Sequence, residues 1–416
     1  MNSSSVSRGK SNRSATSRRP FDIVHLTQSK FPEDPRPRRE AAIAAELGGR
    51  VAVIALGASG EVPEVGHYGR VAVIRLPGQR KRGSAVSYVL EYLGFLRRAR
   101  RLIAGDCRLR QARVFHVHTL PDFLIGATSP ARTAGARVIL DLHEVFPEFI
   151  RSKFGSWKGA IGERIGRWLE RWSRRRADAI VTVNDAVADQ LRTRPARSDE
   201  TIAVVHNFAD PGEFGPPGLT DGKVEGPLRL VYHGTLTPLY GLDLAIEAVS
   251  QARTSGVDAR FDIYGDGPSR PELERQIGDR GLRDVVALRG VVTHQVLRTL
   301  LPAYHAGLVP TRLDVMTRFS LSTKLLEYIH FGIPVIIPAI PTYLDYFPAA
   351  TAWYYAPNSA TEAARAIAAL ATAEPAERVR RAREAQDCAR RRLDPLRDAE
   401  KLRQVYRRLL GTSSSS

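Results

Sequence analysis

Cysteine is nearly absent from this 416-residue chain. Only Cys107 and Cys388 occur, far apart and without metal-ligand spacing. Two such thiols build neither a disulfide framework nor a zinc module, so a reducing compartment is expected. Long apolar runs are missing too: no stretch approaches the ~20 residues of a membrane-spanning helix. Residues 1–20 have no apolar run and no acid, and they read as a disordered basic tail rather than a leader. Three motifs are also lacking: GxGxxG after a strand, GxxxxGK[ST], and any Asp-x-Asp pair. Their absence removes the main support for dinucleotide-binding and P-loop readings and for a carboxylate clamp on a metal–diphosphate. No His, Cys and carboxylate set has ligand spacing along the chain, so no metal site is expected. Acids are outnumbered, 44 against 62 basic residues, for a net charge of +18. Such a balance calls for a polyanionic neighbour: nucleic acid, an anionic bilayer or a phosphorylated substrate.

What the chain does have is alternation. Apolar strand-like runs at Phe21–Leu26, Val51–Leu56, Val71–Arg75, Val114–His118, Val138–Leu140, Ala179–Val183 and Thr201–Val205 are separated by helical periods. Residues 206–226, rich in Gly and Pro, interrupt the rhythm as a linker does. The alternation restarts with Leu228–Tyr232, Phe261–Tyr264, Val285–Leu288, Ala306–Val309 and Val335–Ile337. The predicted fold is α/β, with two doubly wound parallel-sheet domains at 21–205 and 227–394. Ligands of such sheets bind beyond the carboxyl ends of the strands, here the cleft between the halves. A final helix, 395–411, follows. One first-half helix, from about Trp157 to Arg176, carries Ile161, Ile165, Trp168 and Trp172 at helical spacing among many arginines. A core stripe is the ordinary reading of that pattern, and a bilayer-interface anchor the sharper one.

Chemistry is expected at 320–337, which reads as loop, helix and buried strand. Ser322 or Thr323 can cap the helix, and Gly332 with Pro334 ends it. Lys324 sits in the first turn, where the helix end is already positive; a phosphate between them would reverse the sign of that interaction. Glu327, at i+3, shares its face, either as an ordinary solvated partner of Lys324 or as an acceptor for a ribose diol.

Several stretches in order resemble family 4 glycosyltransferases. They are Tyr232-His-Gly-Thr-Leu236 with Gly241–Ala248, Tyr264-Gly-Asp-Gly-Pro268, Leu288-Arg-Gly-Val291, Lys324-Leu-Leu-Glu-Tyr328 and Phe331-Gly-Ile-Pro-Val335. Asp34–Ala41, the strand ending at His118, Asp141-Leu-His-Glu144 and Val205-His-Asn-Phe208 fit as well. The resemblance implies the GT-B architecture, with a nucleotide on the second half, the acceptor on the first, and the last helix crossing back to the first half. It implies catalytic roles for Lys324 and His118. Donor contacts would come from Gly234, Thr235, Gly265, Gly290, Arg312, Ser322, Thr323, Lys324 and Glu327, and the acceptor side from Arg38, His143 and Glu144. Three positions depart from the family pattern. Phe319 stands where a first carboxylate is usual, and Thr235 and Tyr240 where phosphate-binding cations are.

The resemblance therefore implies a retaining, metal-independent glycosyltransferase without a cofactor. It would move a sugar from a nucleotide-diphosphate donor, UDP first, to a glycan or lipid-linked acceptor. An anionic membrane surface is a candidate partner and nucleic acid is not; a cytoplasmic place, peripheral on the inner face of the plasma membrane, is expected. A nucleotide-sugar epimerase of the same architecture is the alternative, and a basic nucleic-acid-binding protein the distant one.

Overall fold

The computed structural model describes residues 19–57, 64–78, 85–154 and 156–411. Most of the expected tail lies outside these residues. Two sheets organise the chain. The first contains β1 (Ile23–Lys30), β2 (Val51–Leu56), β3 (Glu64–Tyr68), β4 (Val71–Leu76), β5 (Val114–His118), β6 (Arg137–Leu142), β7 (Ala179–Thr182) and β8 (Ile202–Val204). Its order is β3-β4-β2-β1-β5-β6-β7-β8, parallel except for β3 against β4. Strand β3 escapes a hydrophobicity reading because its residues are mostly exposed. The second sheet contains β9 (Leu228–His233), β10 (Ala259–Tyr264), β11 (Val286–Gly290), β12 (Ala306–Leu308), β13 (Val335–Pro338) and β14 (Trp353–Tyr355), in the order β11-β10-β9-β12-β13-β14 and all parallel.

Both sheets reverse direction beside their first strand, at β1/β5 and at β9/β12. Crevices form at such switch points, where neighbouring crossovers leave to opposite faces. The strands are apolar on both faces (all six residues of β2 are buried) because helices cover both sides. On one side of the first sheet Phe95, Ala99 and Ile103 of the Ala85–Gly105 helix pack with Leu124 and Ile125 of the Asp122–Thr128 turn. On the other side lie Ala41, Ile43 and Ala44 of the Pro35–Glu46 helix, together with Leu402 and Tyr406. The last two belong to the Pro395–Leu410 helix, which thus lies against the first sheet although the chain has already built the second. Asp398 accepts from the His206 amide at 2.9 Å, and the Tyr406 hydroxyl lies 2.7 Å from His116 Nδ1.

The Ser156–Arg174 helix corrects the core-stripe reading. Ile161, Ile165 and Trp168 are exposed; only Trp172 leans onto the first-half core. The helix packs instead through Gly162 and Gly166, whose missing side chains admit Ile150 and Pro147 of the Phe146–Phe154 helix. Contact through glycines leaves the large apolar residues on the outer face. Among the described residues, no helix is long and apolar enough to cross a membrane.

Candidate active site

Between the halves, beyond the carboxyl edges of both sheets, is a cavity of about 550 Å³. Its second-half wall is the start of the Thr323–His330 helix. Ser322 has the N-cap backbone geometry, yet its hydroxyl makes no capping bond and is buried in the cavity wall. The expected cap is therefore missing, and the first-turn amides have no side-chain acceptor. Thr323 is the first helical residue and also lines the cavity.

Lys324 follows, 8% exposed. Its ammonium lies 4.0 Å from the Tyr240 ring centroid and 5.4 Å from that of Tyr232. Burial pulls its pKa down to about 8, against a small opposing pull from Glu327. Gly234 makes this position possible: a Cβ there would stand 2.5 Å from Lys324 Cε. Gly265 supports Gly234 in turn, because a Cβ at Gly265 would fall 1.9 Å from the Gly234 carbonyl oxygen. Both glycines hold φ near 130°, at 130° and 134°, a conformation that side chains disfavour.

Glu327 does not form the ordinary solvated pair with Lys324. Its Oε2 is 3.0 Å from His233 Nε2, and both side chains are nearly covered. Three other expected donor positions are not in the wall of this cavity. Arg312 is turned to Asp243 and to the Pro238 carbonyl (3.2 Å), against a neighbouring cavity of about 340 Å³. Thr235 is exposed, its carbonyl accepting from the Tyr232 hydroxyl at 3.0 Å. The carbonyl of Gly290, at the end of β11, accepts from the Gly265 amide at 2.7 Å. Phe319 does face the cavity; its carbonyl accepts from Asn184 Nδ2 at 2.9 Å, and its ring packs on the first-half core.

The first-half wall is organised by Asp141 at the end of β6. Arg36 grips it with Nε at 2.8 Å and Nη2 at 2.7 Å, while His118 Nδ1 lies at 3.0 Å and His143 Nε2 at 2.8 Å. Burial opposes the Asp141 charge, yet Arg36 and His143 outweigh it and hold the carboxyl well below its usual range. For His143, burial acts to lower the pKa and Asp141 more than reverses it, a net rise. Glu144, beside it in the cavity, is pushed up to about 6 by burial, with His143 opposing.

Two first-half expectations need correction. His118 does not face the cleft: it is 1% exposed and sits behind Asp141, its Nε2 3.0 Å from His25 Nδ1. Arg38 does not line the cavity itself: it pairs with Asp210 and Glu213 of the linker, which do. Arg36 and Arg39 line the cavity instead. The helical period would have found them, since Arg36, Glu40, Ile43 and Ala44 share the buried face of their helix. The lack of ligand spacing along the sequence does not exclude a ligand-type cluster in space. Glu40, His116, His118 and Asp141 bring one ligand-type atom each within 4.8 Å of one another. They come from three separate elements, so no spacing along the chain announces them.

An uncapped helix start with a buried lysine is chemically suited to an anion, and a nearby carboxylate to hydroxyl donors, with an imidazole and a carboxyl in the other wall of the cavity. Residues 41–213 match Glycosyltransferase Family 4, and residues 227–373 match Glycosyl transferases group 1. The alpha-D-kanosaminyltransferase of Streptomyces kanamyceticus is 31% identical over 37% of this chain and 42% of its own length. The 2-deoxystreptamine glucosyltransferase of the same organism is 26% identical over 48% of this chain and 52% of its own. The matches thus span about half or less of those relatives. The sucrose-phosphate synthase of Thermosynechococcus elongatus superposes with a TM-score of 0.74 at 17% identity, over 95% of this chain and all of that one. Anabaena HepE, solved with UDP and glucose, gives 0.68 at 16% identity over 92% and 99%. With both halves matched and the cleft between them, the chain belongs to the family 4 glycosyltransferases, enzymes of the GT-B fold.

Proposed function

We propose that this enzyme transfers a sugar, with retention at the anomeric carbon, from a nucleotide-diphosphate donor to a glycan or lipid-linked acceptor. The observation that carries the reading is Lys324, buried in the cleft at a helix start with no side-chain cap. A diphosphate placed there meets an ammonium and free amides at once, in a site where water screens neither. Glu327 would accept from the ribose diol, and Gly234 would let the diphosphate approach the backbone. His143 and Glu144, on the opposite wall, would hold the acceptor hydroxyl. As the bond from the anomeric carbon to the diphosphate oxygen breaks, the acceptor oxygen bonds that carbon and its proton passes to the departing phosphate oxygen. No cofactor and no metal enters these steps. HepE carries UDP, which makes uridine carriers the first probes. The place of work we propose is the cytoplasmic surface of a membrane, with the enzyme peripheral to it.

A calorimetric screen of UDP, GDP and dTDP sugars tests the reading, followed by transfer to a panel of glycosides and lipid-linked sugars. The expected result is UDP-sugar binding and an axial donor linkage preserved in the product's NMR coupling. An inverted linkage would remove the retaining step, and binding of none of the three carriers would remove the donor class.

A further inference from the structure

Along the Ser156–Arg174 helix, exposed apolar groups and exposed arginines lie side by side. The Ser156–Arg174 helix presents Ile161, Ile165 and Trp168 to solvent at 52, 54 and 63% exposure, an i, i+4, i+7 stripe. Arg164, Arg167 and Arg171 are interleaved with it and exposed. The acids of the same stretch are buried: Glu163 pairs with Arg151 and with Arg167 of this face, and Glu170 with Arg174 and Arg194. Arg164 and Arg171 have no carboxylate within ion-pair distance among the described residues. The Ala85–Gly105 helix is a neighbour, because Trp172 and Leu96 both come within 4 Å of the Cβ position of Gly126. That helix adds exposed Val89 and Leu90 at one end and exposed Arg97, Arg100 and Arg101 farther along.

Stripes of this size on a water-facing helix are unfavourable unless something apolar covers them. The arginines specify what covers this one. A second copy of the chain would set arginine against arginine across a twofold axis, and nucleic acid would leave the isoleucines and tryptophan wet. An anionic lipid surface satisfies both: arginines at the headgroups, indole and isoleucines at the acyl boundary. The face adjoins the acceptor wall. The Phe146–Phe154 helix begins two residues after Glu144 and is clasped by Gly162 and Gly166.

We infer that Ile161, Ile165, Trp168 and the arginines interleaved with them form a docking face that inserts its apolar side chains shallowly into an anionic bilayer. This deepens the peripheral location proposed above and rests on it, but not on the sugar transfer. The test is flotation of the full chain with phosphatidylglycerol-containing and phosphatidylcholine-only vesicles, with tryptophan emission and UDP calorimetry in parallel. Binding to the anionic vesicles with a blue shift that W168F abolishes is expected. The double variant R164Q/R171Q should weaken partition about thirtyfold, two contacts of ~1 kcal/mol each, and I165S/W168S should weaken it while UDP affinity stays unchanged. Since apolar groups insert, high salt should reduce binding without abolishing it. Should I165S/W168S fail to fold, the exposed arginine variant still decides. No flotation with either vesicle overturns the inference, as does self-association in ultracentrifugation that W168S removes. Flotation without UDP binding would instead count against the donor proposal alone.

Discussion

The ammonium of Lys324 stands 4.0 Å from the centroid of the Tyr240 ring. Tyr240 occupies a position where the family pattern has a cation, and here the ring faces one instead. A second ammonium that close would repel the first, whereas the ring's negative face attracts it. On the proposed reading one buried cation would take over a job otherwise shared, and burial holds its pKa down to about 8. A diphosphate bound beside it would favour the charged form.

That poise makes the donor step measurable. The bound anion favours the ammonium, so nucleoside diphosphate binding should take up a proton at and above about pH 8. Calorimetry in buffers of different ionisation enthalpy reads this uptake directly, and K324A should remove it. K324A should also cut kcat by about two orders of magnitude, ~3 kcal/mol of transition-state stabilisation. The same shift fixes a stability trend. The unfolded lysine titrates near ~10.4, so between about pH 8 and that value the unfolded chain holds more protons. The contribution of Lys324 to stability therefore rises with pH across that window. Turnover or proton uptake unchanged in K324A would contradict the role.

Glu327 and His233 form the second readable pair, 3.0 Å apart. If Glu327 accepts from the ribose, E327A should weaken nucleoside diphosphate binding by about 1.5–3 kcal/mol, the scale of hydrogen bonds to a charged group. The loss should be much smaller for inorganic pyrophosphate, which has no diol. Equal losses for both ligands would mean that Glu327 only props the helix.

Much of the fold was legible because helices cover both faces of parallel sheets, which makes strands continuous apolar runs: Val51–Leu56 and Val335–Ile337 could be read directly. Strand β3 could not, since its residues face water. The lysine was found by its wrong sign at a helix start. Arg36 rather than Arg38 enters the cavity because two residues' rotation about a helix turns a side chain to the opposite face, and the period of Ile43 and Ala44 fixes which face is inside. His118 was placed in the cleft by position along its strand; alternation put it on the inward side instead, behind Asp141. The Ser156–Arg174 stripe could not be assigned to core or surface because glycines, which carry no hydrophobic signal, make the packing contact.

The returning Pro395–Leu410 helix should matter to the first half rather than to nucleotide binding. Tyr406 is fully buried, with its hydroxyl 2.7 Å from His116 Nδ1. Y406F leaves that ring nitrogen without its partner and should cost about 1–3 kcal/mol in urea unfolding. L402A, which empties a fully buried site on the same helix, should cost about 2–5 kcal/mol. UDP affinity should hold in both variants; a matching loss of affinity would tie the helix to the donor site.

The cluster of Glu40, His116, His118 and Asp141 invites a metal question, and the cavity answers it in part. None of the four lines the cleft, and Arg36 already holds Asp141 with two bonds of 2.8 and 2.7 Å. A guanidinium neutralising the carboxylate leaves a dication less to gain there and adds a like charge for it to overcome. Burial keeps His25 and His116 well below their usual pKa, with the neighbouring histidines acting the same way, so both stay in the neutral form that could ligate, and the case against a dication rests on Arg36. The network is therefore expected to work as hydrogen bonds that fix His143 at the cavity wall. Turnover should survive EDTA and gain nothing from Mg²⁺ or Mn²⁺. H118N, which keeps polarity but changes the reach to Asp141, should shift the pH at which His143 titrates, read by NMR. Metal found at unit stoichiometry in the purified enzyme, or activity abolished by EDTA and restored by a divalent ion, would overturn this and make the cluster a metal centre.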